Sequence, residues 1–172
     1  KLLCGSEGTL AVFTKIELRT VETPKSKALI QFEFSSLKAM AKAVPVIVEN
    51  GASACELMDS SLIKIVLDAL PEYHDVLPAD AAVILLVEHV GRTEQEVRKK
   101  IEEADLVVGQ LASQRRSFYD PVQQERLWKL RKDAVPLLFR EKNTKRPIAF
   151  VEDVSVDNKQ LLNYITGLEK IG

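Results

Sequence analysis

The sequence predicts an α+β fold, an antiparallel sheet with helices packed on one face. Three observations carry this expectation. Apolar residues alternate over several short runs, amphipathic stripes with recognisable caps lie between those runs, and the strand-then-helix order starts over near the middle of the chain.

Residues 10–21, LAVFTKIELRTV, set Val12, Thr14, Ile16 and Leu18 against Ala11, Phe13, Lys15 and Glu17, the period-two pattern of a half-buried strand, and Pro24 ends it. Residues 27–36 alternate again, with Ala28, Ile30, Phe32 and Phe34 on one face and Gln31 and Glu33 on the other. Leu37, Met40, Val44 and Ile47 then recur at helical spacing as far as Asn50-Gly51, a left-handed stop. Pro45 should kink that helix, because it removes a backbone donor and crowds the preceding turn. Residues 52–59 read as a short strand, Asp59 as the N-cap of a helix carrying Leu62, Ile63, Val66, Leu67 and Leu70, and residues 71–80 as loop.

From residue 81 the order repeats. AAVILLVEHV is almost continuously apolar, as a central strand covered by helices would be. Thr93 and Glu96 form a capping box, behind which Val97, Ile101, Ala104, Val108 and Leu111 make one stripe of a long helix. RRSFY reads as a strand. Asp120-Pro121 opens a helix with Leu127, Leu130, Ala134, Leu137 and Leu138 inward, interrupted at Pro136. Residues 146–156 read as a further strand and 157–171 as a helix with Leu161, Ile165 and Leu168 inward. Two successive strand–helix–strand–helix runs suggest a duplicated ferredoxin-like sandwich. A doubly wound parallel sheet is the alternative, but its glycine-rich phosphate turn is missing.

Composition excludes several classes. The 172 residues carry 24 basic and 25 acidic side chains, interspersed and nearly cancelling, so no basic stripe offers a track for nucleic acid. The longest apolar runs are far too short to span a bilayer, and the expected location is cytoplasmic or peripheral to the inner face of the membrane. Cys4 and Cys55 have neither a CxxC spacing nor histidine neighbours, so both are expected reduced and packed, and no metal site is expected from His74 and His89.

Gly5, Ser6, Glu7, Gly8 and Thr9 read either as an ordinary turn before a strand or as a cofactor-side turn, since two glycines allow close approach and leave N–H groups free for an anion. Arg131 sits among Arg126, Lys129 and Lys132 and could equally be a solvated helix arginine. Glu152 and Asp153 are adjacent on a strand-like run, so they face opposite ways and cannot act as a close pair; no catalytic residue is assigned. Trp128 and Phe139 read as core or interface aromatics, and Glu56 and His89 as hydrogen-bonded structural residues.

Four ordered stretches, GSEGTLAVFTKIELRT, CELMD, ERLWKLRKDAVP and RPIAFVEDVSV, resemble the FAD-linked oxidoreductases of the D-lactate dehydrogenase and glycolate oxidase type over nearly the whole chain. The resemblance implies an enzyme that oxidises a D-2-hydroxy acid by hydride transfer to FAD. Residues 1–22 would end the FAD-binding domain and supply the entry strand, and residues 23–172 would form a truncated substrate, or cap, domain. It further implies that residues 5–9 face the cofactor, and that Arg131 matches the arginine that holds the substrate carboxylate. Some relatives pair that arginine with a threonine and a lysine where this chain has Val135 and Val151, which leaves the particular acid open. An upstream FAD-binding domain would be a partner, and an iron–sulfur domain or subunit is a further candidate, although no cluster-type cysteine spacing is present. The fragment alone is expected to be inactive and to bind FAD weakly or not at all. The rival class is a non-catalytic ligand-sensing or dimerising module, which the same architecture permits.

Overall fold

Strand β1, Ser26–Phe34, lies inside a four-stranded sheet, and the remaining elements follow from how its two faces and two edges are covered. The computed structural model describes residues 2–3, 6–138 and 154–171. After β1 come α1 (Leu37–Glu49), β2 (Ala54–Asp59), α2 (Ser60–Ala69), β3 (Val83–Gly91), α3 (Glu94–Val108), β4 (Gln114–Phe118), α4 (Pro121–Leu138) and α5 (Leu161–Glu169).

The sheet is antiparallel throughout, in the order β2-β3-β1-β4, so the α+β class and the antiparallel sheet are borne out. Ile30 of β1 stands opposite Val87 of β3 and Ser117 of β4, while Leu57 of β2 stands opposite Leu85 of β3. The two strand–helix–strand–helix runs do not make two units among the described residues. They interleave in one sheet, with β3 of the second run inserted between β1 and β2 of the first. The cause is polarity: β1 and β3 are the strands most completely buried, and only central positions cover both of their edges.

The helices also divide between the two faces, where the sequence placed them on one. Ala28, Ile30, Phe32 and Phe34 meet Val83, Leu85 and Val87 and are covered by Met40, Val44 and Ile47 of α1 and Val97, Ile101 and Ala104 of α3. On the opposite face Leu29, Met58, Ile84 and Leu86 pack against Ile63, Val66 and Leu67 of α2 and Leu127, Leu130 and Leu137 of α4. The apolar residues between the polar ones on β1 and β3 require that second cover. Each fully buried large side chain contributes about 1.5–3 kcal/mol relative to exposure.

Local chemistry sets the element ends. Ser36, Asp59 and Thr93 accept from Ala39, Leu62 and Glu96 N–H groups at 3.2, 2.9 and 3.2 Å, as N-caps do. Glu96 reaches back past the cap and accepts from Arg92 N–H at 2.9 Å, so the expected box is formed with the residue before Thr93 and not with Thr93 itself. Helix α1 runs through Pro45 to Glu49 and ends at Asn50, with Gly51 at φ +79° and Ala52 N–H returning to the Ile47 carbonyl, a Schellman stop. Helix α4 likewise continues through Pro136. The segment read as loop after α2 contains a 3-10 turn, Pro71–Tyr73, and buries Tyr73, Val76 and Leu77 in the α2–α4 layer.

Residues 10–21 do not form the expected strand. Leu10, Val12, Ile16, Leu18 and Val21 are exposed, and no strand among the described residues lies beside them to pair with. A lone strand has no ladder to satisfy its backbone. Of the expected strand 146–156, residues 146–153 lie outside the described residues and 154–156 have no regular structure; Cys4, Gly5, Phe139, Val151, Glu152 and Asp153 also lie outside. The last expected helix is a 3-10 turn, Asn158–Gln160, followed by α5, whose Leu161 and Ile165 pack on the α1–α3 layer. Among the described residues no helix is long and apolar enough to cross a membrane.

Candidate functional site

Helix α4 presents four basic side chains within two turns, and the fold gives each a different fate. Arg126 is spent on the loop after α2. Its Nη1 and Nη2 donate to both carboxylate oxygens of Asp75 at 2.9 and 2.8 Å, Nη2 also donates to the Glu72 carbonyl, and the guanidinium lies 5.0 Å from the Tyr73 ring centre. Lys129 pairs with Asp133 one turn on, at 3.2 Å, and Lys132 is exposed. Arg131 turns to the sheet, where its Nε donates to Glu56 Oε2 at 3.0 Å.

Period-two alternation explains why Glu56 is there to meet it. Glu56 shares a face of β2 with Met58, which belongs to the α2–α4 layer, and stands opposite Leu86 of β3. Two positions along β3, Glu88 faces the same way, opposite Ala54. Its Oε2 accepts from Trp128 Nε1 at 3.2 Å and its Oε1 from the Ser53 hydroxyl at 3.0 Å. Trp128 and Arg131 are three residues apart and therefore neighbours on one helix face. Two strand carboxylates thus hold two successive side chains of α4.

Arg131 and Glu56 are partly exposed, with 33% and 40% of their side-chain surfaces accessible, so the pair sits at an opening and not in the core. Nε occupies one edge of the planar guanidinium; among the described residues nothing accepts from Nη1 or Nη2. The edge left over is the two-pronged donor that matches a carboxylate. Of the four basic residues on this helix, Arg131 alone combines a fixed guanidinium with an open fork among the described residues.

The expected cofactor turn keeps a specific backbone shape. Thr9 N–H donates to the Ser6 carbonyl at 2.8 Å, and Glu7 and Gly8 between them have φ values of +48° and +79°, the signs of a type I′ turn. A Cβ on Gly8 would meet nothing, so the turn is open on that side and the glycine is needed for its φ alone. Glu7 and Gly8 N–H groups have no partner among the described residues. No hydrogen bond or ion pair among the described residues joins this turn to α4.

Sequence reasoning placed Glu56 on a strand as a hydrogen-bonded residue, which holds, and missed that its partner is Arg131. The available signal was a carboxylate on the otherwise apolar face of a strand, a position that demands a partner. His89 departs from expectation: it is fully buried on the α1–α3 face, and among the described residues neither ring nitrogen has a hydrogen-bond partner. Burial holds its pKa below the usual histidine value, and the nearby Lys100 charge acts in the same direction. Cys55 is packed, and burial, then Glu56, push its thiol up to about 11, which makes it a poor nucleophile. Among the described residues no group of three or more histidine, cysteine or acidic side chains could hold a metal ion.

Comparison with known proteins gives these contacts a context. The chain is 27% identical to a D-2-hydroxyglutarate dehydrogenase of Pantoea ananatis (strain AJ13355), over 96% of this chain and 17% of that protein. It is 28% identical to glycolate oxidase subunit GlcD of Escherichia coli (strain K12), over 99% of this chain and 33% of that protein. The chain therefore spans about a sixth and a third of these relatives. A solved structure of alkyldihydroxyacetonephosphate synthase aligns with TM-score 0.44 and 11% identity, over 67% of this chain and 23% of that one. The sequence model of the FAD linked oxidases, C-terminal domain, matches residues 23–172, and the chain belongs to that family.

Proposed function

We propose that this chain is the substrate-side cap of an FAD-dependent enzyme that oxidises a D-2-hydroxy acid, and that Arg131 holds the acid's carboxylate. The observation that carries the proposal is the guanidinium of Arg131, fixed at Nε by Glu56 with its Nη edge open among the described residues. Relatives named as D-2-hydroxyglutarate dehydrogenase and glycolate oxidase subunit support the reading, since both names describe 2-hydroxy acids. A substrate carboxylate seated on that edge would set the position of the adjacent α-carbon and hydroxyl.

Residues 23–172 form the cap in this proposal, and residues 1–22 belong with the FAD-binding domain. The exposed alternating apolar residues Val12, Ile16 and Leu18 supply what a strand needs to join a sheet contributed by such a domain. The turn at Ser6, Glu7, Gly8 and Thr9, preceded by Gly5, fits a cofactor because its open side and its N–H groups at positive φ let a backbone approach an anionic ligand closely. FAD, when bound, supplies the hydride acceptor for the α-carbon. This chain's own residues bind and orient: the turn toward the cofactor, Arg131 toward the carboxylate.

The test uses the full-length, FAD-loaded protein. Arg131→Lys should lower kcat/KM for D-2-hydroxy acids at least about tenfold, the lower end of the loss of one hydrogen bond to a charged group, because an ammonium keeps the charge but cannot reproduce the two-pronged contact. FAD absorbance per protein should stay unchanged. Near-normal kcat/KM in this variant would remove Arg131 from the substrate site.

A further inference from the structure

We propose that Glu56 is a positioning residue for substrate binding: by taking the Nε edge of Arg131 it locks the guanidinium so that the Nη edge meets the substrate carboxylate. The proposal rests on the reading of Arg131 given above and adds the residue that makes the arginine selective.

An arginine side chain has four rotatable bonds before its planar group, and one left to itself samples many orientations at a cost of about 1.5–2 kcal/mol to immobilise. Arg131 is only partly buried, so packing alone does not fix its end. The Glu56 contact at 3.0 Å does. Glu56 is itself held on a rigid element, since β2 pairs with β3 from Ala54 opposite Glu88 to Asp59 opposite Val83. One helical turn earlier the Trp128–Glu88 hydrogen bond at 3.2 Å pins α4 to the same pair of strands, which fixes where the Arg131 backbone starts. Both ends of the arginine are therefore anchored to β2 and β3.

The alternative fate is visible on the same helix. Arg126 gives both Nη atoms to Asp75 and has no fork left for a ligand. Glu56 approaches the other edge of its arginine and leaves the fork available among the described residues. The difference between a structural arginine and a ligand-ready one is which edge the acidic partner takes. Glu56 also offsets part of the guanidinium charge, so a carboxylate gains its affinity from two aligned bonds more than from charge alone.

The test is a double-mutant cycle in the full-length, FAD-loaded enzyme with a D-2-hydroxy acid substrate. Glu56→Ala should raise KM about tenfold with kcat within about twofold of the parent, the pattern of lost ground-state and transition-state binding together. Glu56→Gln keeps an acceptor for Nε and should recover most of that loss. In an Arg131→Ala background, Glu56→Ala should have no further effect on KM, because the group it positions is gone. The melting temperature of the Gln variant serves as the folding control. An unchanged KM in Glu56→Ala and Glu56→Gln beside an impaired Arg131→Ala overturns the positioning role alone. Equal effects of Glu56→Ala with and without Arg131 also overturn it. A normal KM in Arg131→Ala overturns the carboxylate reading itself.

Discussion

Arg126 grips Asp75 with two parallel hydrogen bonds, Nη1 to Oδ2 at 2.9 Å and Nη2 to Oδ1 at 2.8 Å, and so ties the start of α4 to the loop that follows α2. The hydrogen bonds from Arg126 hold the Asp75 carboxyl below its usual pKa against an opposing effect of burial, with the Arg126 and Arg116 charges assisting. A depressed carboxylate contributes stability that is present above its unfolded pKa of about 3.9 and is lost as pH falls through the folded value. The melting-temperature difference between parent and Asp75→Asn should therefore be constant above about pH 5 and shrink as pH falls below about 4. Because the pair is exposed, raising salt should shrink the difference at every pH. A difference that grows on acidification contradicts the assignment.

His89 works in the same direction, at a higher pH. Burial lowers its pKa in the folded chain, with Lys100 adding to the effect and Glu103 opposing it, so the unfolded chain binds the proton more readily. Stability is then full above about pH 6.5 and declines as pH falls below it, by at most about 1.4 kcal/mol per pH unit. His89→Leu should flatten the stability curve between pH 7 and 5 in urea titrations. A slope that survives the substitution assigns the titration to another group.

Gln124 is buried, and the two hydrogens of its Nε2 are shared among three backbone carbonyls, Lys27 at 3.0 Å, Phe118 at 3.2 Å and Tyr119 at 3.0 Å. One amide thereby joins α4 to the outer ends of β1 and β4. Gln124→Met keeps the volume and removes the donor, leaving buried carbonyls short of a partner, and should cost about 1–3 kcal/mol in chemical denaturation. Hydrogen exchange of the last β4 amides should accelerate in the same variant. A neutral effect on both would show that the carbonyls are satisfied without it.

Periodicity and caps were readable because they are local. The face assignment of Ala28, Ile30, Phe32 and Phe34 against Gln31 and Glu33, and the helix starts at Asp59, Thr93 and Asp120, depend on residues a few positions apart. Strand order did not yield to the same reasoning, since the pattern of β3 states that it is central but not which strands flank it. Nor did residues 10–21: their alternation specifies a strand, and no partner for it lies among the described residues. The Glu56–Arg131 contact joins positions far apart in sequence, and only the register of β2 on β3 shows that a carboxylate at 56 faces a helix beginning at 121.

The interleaved sheet has a consequence for synthesis. A ribosome delivers β1 and β2 first, but in the finished sheet they stand two strand spacings apart, a gap of about 10 Å that contains nothing until β3 emerges. Neither early strand can form a ladder with the other in its final place. When β3 arrives it pairs with both at once, and β4 then seals the far side of β1, with Leu29 meeting Phe118. β1 and β2 therefore lack their shared final partner until β3 is made, which marks β3 as the segment whose delay a chaperone would have to cover.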